Sequence, residues 1–313
     1  MMMVLIKPMN VLRIICISSL LIVLFTLTAT ECSKKSAGVE NGTQNTISTA
    51  GIFFDDFIYD NKSDPQLTAF GWTVRSGSGG PGPAEGIWDN SLVTFIADTL
   101  KTGNRLMKLS SWTQGSGSTC HQSEIYSLVK FQQATFAARV MFTDDTEMGL
   151  GGDGIVQTFF TIADWELAHT DSYCEFDFEY LPNGGWGGTD AALWETSWAN
   201  VENHTSIRQR ASHAGTWQIL VIQADTLETN YYVNSELRAH HQKPFVVDGL
   251  MSINFNHWFI EEQLRSNNRI NRRYSYLVDW VFARTDSILS PEAIENHVSE
   301  LQLKGYPRFD TIK

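Results

Sequence analysis

The stretch Glu175-Phe176-Asp177-Phe178-Glu179 alternates acidic and aromatic side chains with a period of two. Side chains alternate across a β-strand with that same period. The stretch therefore predicts a strand that presents Glu175, Asp177 and Glu179 on one face and packs Phe176 and Phe178 into a core behind it. Three acids on one exposed face repel one another. Repulsion of that kind raises one carboxyl pKa enough to hold a proton near neutral pH while a neighbour stays ionised. Taken alone, the five residues also fit a solvated acidic face on an amphipathic strand.

On both sides of this strand the chain repeats one pattern. Short apolar or alternating runs at 71–74, 92–96, 106–109, 134–142, 155–162, 216–223, 230–233, 250–255 and 274–282 are separated by Gly, Asn, Asp and Pro clusters. Many short strands at fairly regular spacing predict an all-β, antiparallel fold of the sandwich or jelly-roll kind, in which one of two sheets can curve into a groove. Such a sandwich often runs to roughly 200–250 residues as one domain, so residues 51–285 are expected to form a single unit. The Gly- and Pro-rich stretches at 76–86 and 183–188 read as turns or rim loops. After residue 285 the pattern changes. Ser290 can cap a helix and Pro291 suits its first position, so 286–313 is expected to add a short C-terminal helix on the back of the sandwich.

The beginning of the chain has another character. Lys7 and Arg13 precede an apolar run over 14–27 and then small or polar residues, so 1–31 reads as an export signal. The run is shorter than the roughly 20 residues a bilayer span requires, and the chain has no second one. Cys32 follows directly, which leaves lipid anchoring at the cell surface and plain secretion both open. Residues 32–50 are polar and aperiodic and read as a flexible tether. Cys16 lies in the signal, so the folded part holds Cys120 and Cys174. Export permits a disulfide between these two, and a pair of buried free thiols is the other reading.

The net charge of −12 speaks against a nucleic-acid partner and, more mildly, against a polyanionic substrate. Ten Trp, eighteen Phe and nine Tyr exceed what a core alone needs, so some should be exposed. Aromatic faces stack on the apolar faces of pyranose rings. Together with paired carboxylates they point to a sugar groove, with one terminal Glu as nucleophile and the other as acid and then base. A retaining enzyme needs its two carboxyls about 5–5.5 Å apart. Residues four apart on a flat strand lie roughly 13 Å apart at Cα, so sheet curvature and inward-leaning side chains must close the gap.

Further runs occur in a fixed order around the acidic strand. They are Ser123-Glu124-Ile125-Tyr126-Ser127, Ala137-Ala138-Arg139-Val140, Gly154-Ile155-Val156-Gln157-Thr158-Phe159-Phe160-Thr161, Met251-Ser252-Ile253-Asn254-Phe255-Asn256-His257-Trp258 and Val278-Asp279-Trp280-Val281. With the acidic strand they resemble the family 16 glycoside hydrolases, bacterial lichenases and laminarinases in particular, over about residues 52–284. The resemblance implies a concanavalin A-like jelly roll of two curved antiparallel sheets and retaining endo-hydrolysis of a β-glucan-like polysaccharide. It makes Glu175 the nucleophile, Asp177 its assistant and Glu179 the acid/base. The single residue between Asp177 and Glu179 is the family's form without a bulge. Glu124, Asn256 and Trp258 would touch sugar, and Asp279 falls where the family often holds a structural calcium ion. No cofactor is required for the chemistry, and a monomer is expected.

The rim departs from the lichenase pattern at 149–154, 181–188 and 260–273, so substrate linkage does not carry over. Trp186, Trp194, Trp198 and Trp258 are candidates for stacking on sugar, Trp186 above all because it stands among glycines with little core to join. The cluster Arg265, Arg269, Arg272 and Arg273 reads as a solvated loop or as a contact for an acidic sugar. Two other functions share the fold with hydrolysis: carbohydrate binding without turnover by a surface lipoprotein, and transglycosylation.

Overall fold

Alternating burial along the strands builds two antiparallel sheets face to face. A computed structural model describes residues 51–266 and 269–312; the export segment, the tether and Cys32 lie outside the described residues. In the front sheet the strand order is Thr73–Val74, His121–Tyr126, Met251–Phe259, Ile155–Ala163, Glu175–Leu181, Ala192–Asn200 and Asn203–Arg210. The back sheet is organised by the long strand Arg272–Thr285. Arg105–Thr113 and Ile52–Asp55 pair with successive parts of one edge, and Ala134–Met141 pairs with the other. Gln218–Ala224, Glu228–Val233 and Glu236–Gln242 continue outward from there. The sheets meet at one edge, where Trp112 on a back strand pairs with His121 on a front strand. The two-residue strand Ile87–Trp88 runs parallel to His121–Tyr126, against the antiparallel rule of the rest.

Phe176, Phe178 and Tyr180 are fully buried between the sheets. Phe178 meets Tyr231 of the back sheet edge to face at 5.2 Å, and Tyr180 stacks on Phe142 at 5.0 Å. Burying a side chain of this size is worth about 1.5–3 kcal/mol, so these three rings hold the acidic strand in its rotational setting. The strand keeps an unbroken register with both neighbours, in agreement with the form without a bulge. A bulge does occur on the back strand between Val278 and Trp280. It turns Val281 and Ala283 into the main core and leaves Trp280 and Phe282 to face outward.

Those outward rings receive the C-terminal helix, Pro291–Leu303. Ser290 caps it by accepting the Ala293 N–H at 3.2 Å, and Pro291 begins it as expected. Ile294, Val298 and Leu301, at helical spacing, pack on Ile52, Phe54, Trp280 and Phe282. The segment then adds a strand that the sequence pattern does not announce, Arg308–Asp310, paired with Ile52–Asp55. The C-terminal segment is thereby part of the back sheet. Cys120 and Cys174 are both buried free thiols in separate apolar clusters.

The expected basic cluster resolves into structure. Arg272 is buried and bidentate on Asp153, through Nε at 2.6 Å and Nη2 at 2.8 Å. Asp153 also accepts from the Tyr274 hydroxyl at 2.6 Å and the Arg265 N–H at 2.8 Å, and its carbonyl accepts from Asn183 at 2.8 Å. The Asp153 carboxylate thus ties its own loop to the long excursion after Trp258, and its backbone carbonyl adds the loop after the acidic strand. Removing one partner of such a pair leaves a buried charge uncompensated. Asp153→Ala is expected to lower unfolding free energy by about 3–5 kcal/mol in a denaturant titration. A loss below about 1 kcal/mol would show that the pair is not a structural anchor.

Candidate active site

The sheet register converts sequence spacing into rows across the front face. Residues directly opposite on neighbouring strands share a face, so Glu179 lies in line with Thr158 and Trp194. Asp177 lies in line with Phe160 and Thr196, and Glu175 with Ile162 and Trp198. One strand further, Asn256 and Glu124 extend the Glu179 row, and Asn254 and Tyr126 the Asp177 row. A cavity of about 790 Å³ lies over this face, lined by Glu175, Glu124, Tyr126, Phe160, Asn254 and Asn256 among others. It is of a size usual for small-ligand sites.

The three acids stand in different surroundings. The buried Tyr173, two residues before the strand, donates its hydroxyl to Glu175 Oε2. Asp177 accepts the Trp198 indole N–H at 2.8 Å. Glu179 has no hydrogen-bond donor to its carboxyl among the described residues. Burial raises all three pKa values. Glu175 rises to about 7; donors from Tyr173 and Asp177 oppose the rise, and the Glu124 charge adds to it. Glu179 rises to about 8, with the Glu175 charge adding to burial. Asp177 is held well above the carboxylate range by burial and by the charges on both sides, so it is the member that carries a proton to share with Glu175. Between the two glutamates, the one that accepts donors ionises first and the one without them holds its proton longer.

The other expected residues fall into distinct places. Glu124 lines the cavity, yet its carboxylate is already paired with Arg75 at 2.6 Å. Arg75 itself lies over the Trp88 ring at 4.3 Å and donates to the Gly80 carbonyl at 2.9 Å. Asn256 accepts from Thr158 Oγ1 at 2.7 Å, which fixes the orientation of its amide at the cavity wall. Trp198 spends its N–H on Asp177 and its ring on His204, 4.2 Å away, so it positions an acid instead of offering an open face.

Trp186 sits at the tip of a tight hairpin in which Gly185 and Gly188 exchange both backbone bonds at 2.9 Å. Trp186 and Gly187 both have positive φ, at 48° and 83°. That is the pattern of a two-residue type I′ turn, where a tryptophan is strained. The ring is held by an edge contact with Trp194 at 5.5 Å and a tilted one with Trp258 at 6.4 Å. These three indoles form a wall beyond Glu179, with Trp194 and Trp258 seated on a patch of Val156, Leu181 and Ile260.

Asp279 lies at the bulge on the back sheet. Its carboxylate accepts from Arg139 at 2.5 Å and from Asn104 at 2.8 Å. With both oxygens engaged and a guanidinium alongside, this side chain does not fit as a calcium ligand. Among the described residues no three His, Cys, Asp or Glu side chains gather as a metal site. Arg75, Tyr173 and Trp165 went unremarked in the sequence. Only the position of Tyr173, two before the acidic strand, hinted at a role.

No family model matches the chain, and no curated protein matches it. Solved structures do. The β-glucanase of Bacillus licheniformis matches 77% of this chain and 100% of its own length at 17% identity, with a TM-score of 0.54. A glycoside hydrolase family 16 endo-glucanase from Bacteroides ovatus covers 73% of this chain and 98% of its own at 14% identity, TM-score 0.56. A lichenase derived from a mouse hindgut metagenome covers 74% and 98% at 20% identity, TM-score 0.53. At such identities the likeness is one of fold, and the fold is the all-β jelly roll, one of the two kinds the strand pattern allowed and the one the resemblance implied.

The raised carboxyls set a pH dependence of stability. Folded-state values of about 7 for Asp55 and Glu175 and about 8 for Glu179 and Glu195 compare with about 4 in an unfolded chain. Between these limits the native state binds more protons, so these groups lower stability as pH rises. His241 and His257, lowered by burial to about 4 and about 3, act in the opposite sense. They do so only below the unfolded histidine value of about 6.5. The melting temperature is therefore expected to fall from about pH 6.5 to pH 8.5, and Glu179→Gln to flatten the fall and melt higher than the parent at pH 8. A rising profile would contradict the assignment of raised carboxyls.

Proposed function

We propose that this chain is a glycoside hydrolase acting on a β-linked, glucan-like polysaccharide outside the cell, by double displacement with retention. The observation that carries the reading is the unlike pair on the groove face of one strand: Glu175, in the cavity lining and stabilised as a carboxylate by Tyr173 and Asp177, and Glu179, further along the same face and kept protonated by burial with no donor among the described residues. The Glu175 carboxylate attacks the anomeric carbon while Glu179 passes its proton to the departing glycosidic oxygen. A glycosyl ester on Glu175 results, and the leaving chain departs as an alcohol. Glu179, now a carboxylate, takes a proton from water as that water attacks the same carbon, which frees Glu175 and restores the acid. Asp177, protonated between them, donates to Glu175 and moderates its charge at each stage.

Support for a glucan comes from the company the fold keeps. A structure of LamA from Zobellia galactanivorans holds laminaritriose and laminaritetraose, and a Bacteroides ovatus family 16 protein holds a G4G4G3G product. The groove here has a polar floor of Asn254, Asn256 and Glu124 and an aromatic wall of Trp186, Trp194 and Trp258, which suit a neutral sugar chain. An export segment at 1–31 suits a polymer too large to enter a cell, and Cys32 offers a point of attachment there.

A panel of β-glucans read by product chromatography tests the reading. Glu175→Gln is expected to abolish cleavage, and Glu179→Gln to lower kcat by about 10²–10⁴-fold. The first product of the parent should keep the β anomeric configuration by NMR. Activity surviving in Glu175→Gln, undiminished kcat in Glu179→Gln, or an inverted product would sink the mechanism. With Glu175 near 7 and Glu179 near 8, kcat/KM should be bell-shaped with its maximum between those limits. Tyr173→Phe removes a donor to the carboxylate, so it should shift the acidic limb to higher pH. An unmoved limb would deny Tyr173 that role.

A further inference from the structure

The chain between the strands Ile155–Ala163 and Glu175–Leu181 makes one 3-10 turn, Trp165–Leu167, capped by Asp164, which accepts the Glu166 N–H at 3.0 Å. The turn sets Trp165 in the lining of the cavity beside Asp164 and not far along the rim from Val129. Two-thirds of the Trp165 surface, 66%, is exposed. An indole left in water forgoes the burial that makes tryptophan valuable in a core, and this ring belongs to none of the apolar clusters. Its ring contact is an edge-to-face one with Tyr173, 6.3 Å away at 81°. Tyr173 is buried and bonded to Glu175, so Trp165 stands two side chains from the candidate nucleophile. The contact holds the indole by its neighbour while leaving it open to the cavity.

We propose that Trp165 is a stacking platform for a sugar ring adjoining the one attacked by Glu175, and that it sets how firmly the cavity grips the chain on that side. The inference rests on the reading of the cavity as a polysaccharide site. Its chemistry is that of an aromatic face against the apolar face of a pyranose, with Asn254, Asn256 and Glu124 on the floor to meet the hydroxyls. Trp198 cannot serve in this way because its ring and N–H are both engaged inside the site. Trp186, Trp194 and Trp258 form their wall beyond Glu179, away from the lining that holds Trp165. Trp165 is the exposed indole among the residues that line the cavity.

Binding is measured by calorimetry on the Glu179→Gln protein, which keeps the cavity and turns over at least about a hundredfold more slowly, with laminari- and mixed-linkage gluco-oligosaccharides of increasing length. Adding Trp165→Ala is expected to weaken binding about tenfold, and Trp165→Phe to recover most of the loss, because a smaller ring still stacks. In the otherwise unaltered enzyme Trp165→Ala should raise KM with kcat nearly unchanged, whereas a merely structural role would lower the folded fraction and kcat together. Unchanged affinity after Trp165→Ala, in a protein whose parent cleaves glucan, overturns the platform alone. A Glu179→Gln protein that binds none of these oligosaccharides, from a parent that cleaves none, overturns the platform and the proposed function together.

Discussion

Burial of Phe176, Phe178 and Tyr180 between the two sheets is the constraint on which the rest of this molecule depends. A strand cannot bury one face without presenting the other. Once those rings enter the core, Glu175, Asp177 and Glu179 are committed to the groove side. The neighbouring strands then align the remaining polar residues in rows with them. A slip of one residue would send the acids into the core and the rings into water, so the packing energy of the core also fixes the chemistry of the face.

The cost of that commitment is electrostatic. Three carboxyl groups brought close in a partly desolvated groove cannot all be charged, and the protein distributes the burden unevenly. Tyr173 supports charge on Glu175, Trp198 reaches Asp177, and Glu179 has no donor among the described residues. The same imbalance that lowers stability at alkaline pH separates the two end carboxyls into one that gives up its proton and one that retains it. Strain is spent in the same neighbourhood, at Trp186 with its positive φ, and is offset by packing on two further indoles.

Much of the fold was legible because period-two alternation and turn residues are local signals. The runs at 134–142, 155–162 and 274–282 became strands with nearly those limits, and Ser290 and Pro291 began a helix. Strands that carry little apolar contrast were not visible. Asn203–Arg210 is polar on both faces, and Arg308–Asp310 is too short for a pattern and exists by pairing with Ile52–Asp55. The arginines of the 260–273 excursion look alike in sequence. Arg272 alone is buried on Asp153, a partner more than a hundred residues away.

The candidate acids could be read directly, because their spacing along one strand is a property of the covalent chain. What each acid is bonded to was not readable, because the donors come from other elements. Tyr173 arrives from the preceding loop, Trp198 from the next strand, and Arg75, which pairs with Glu124, from the loop that follows the edge strand Thr73–Val74. The likeness in sequence placed Asp279 at a cation site, and the folded back sheet gave it to Arg139 and Asn104 instead. Local alternation sets which way a side chain points, since it depends only on backbone geometry. Protonation, pairing and access depend on which distant groups share the same few ångströms, and those are brought together only when the two sheets close.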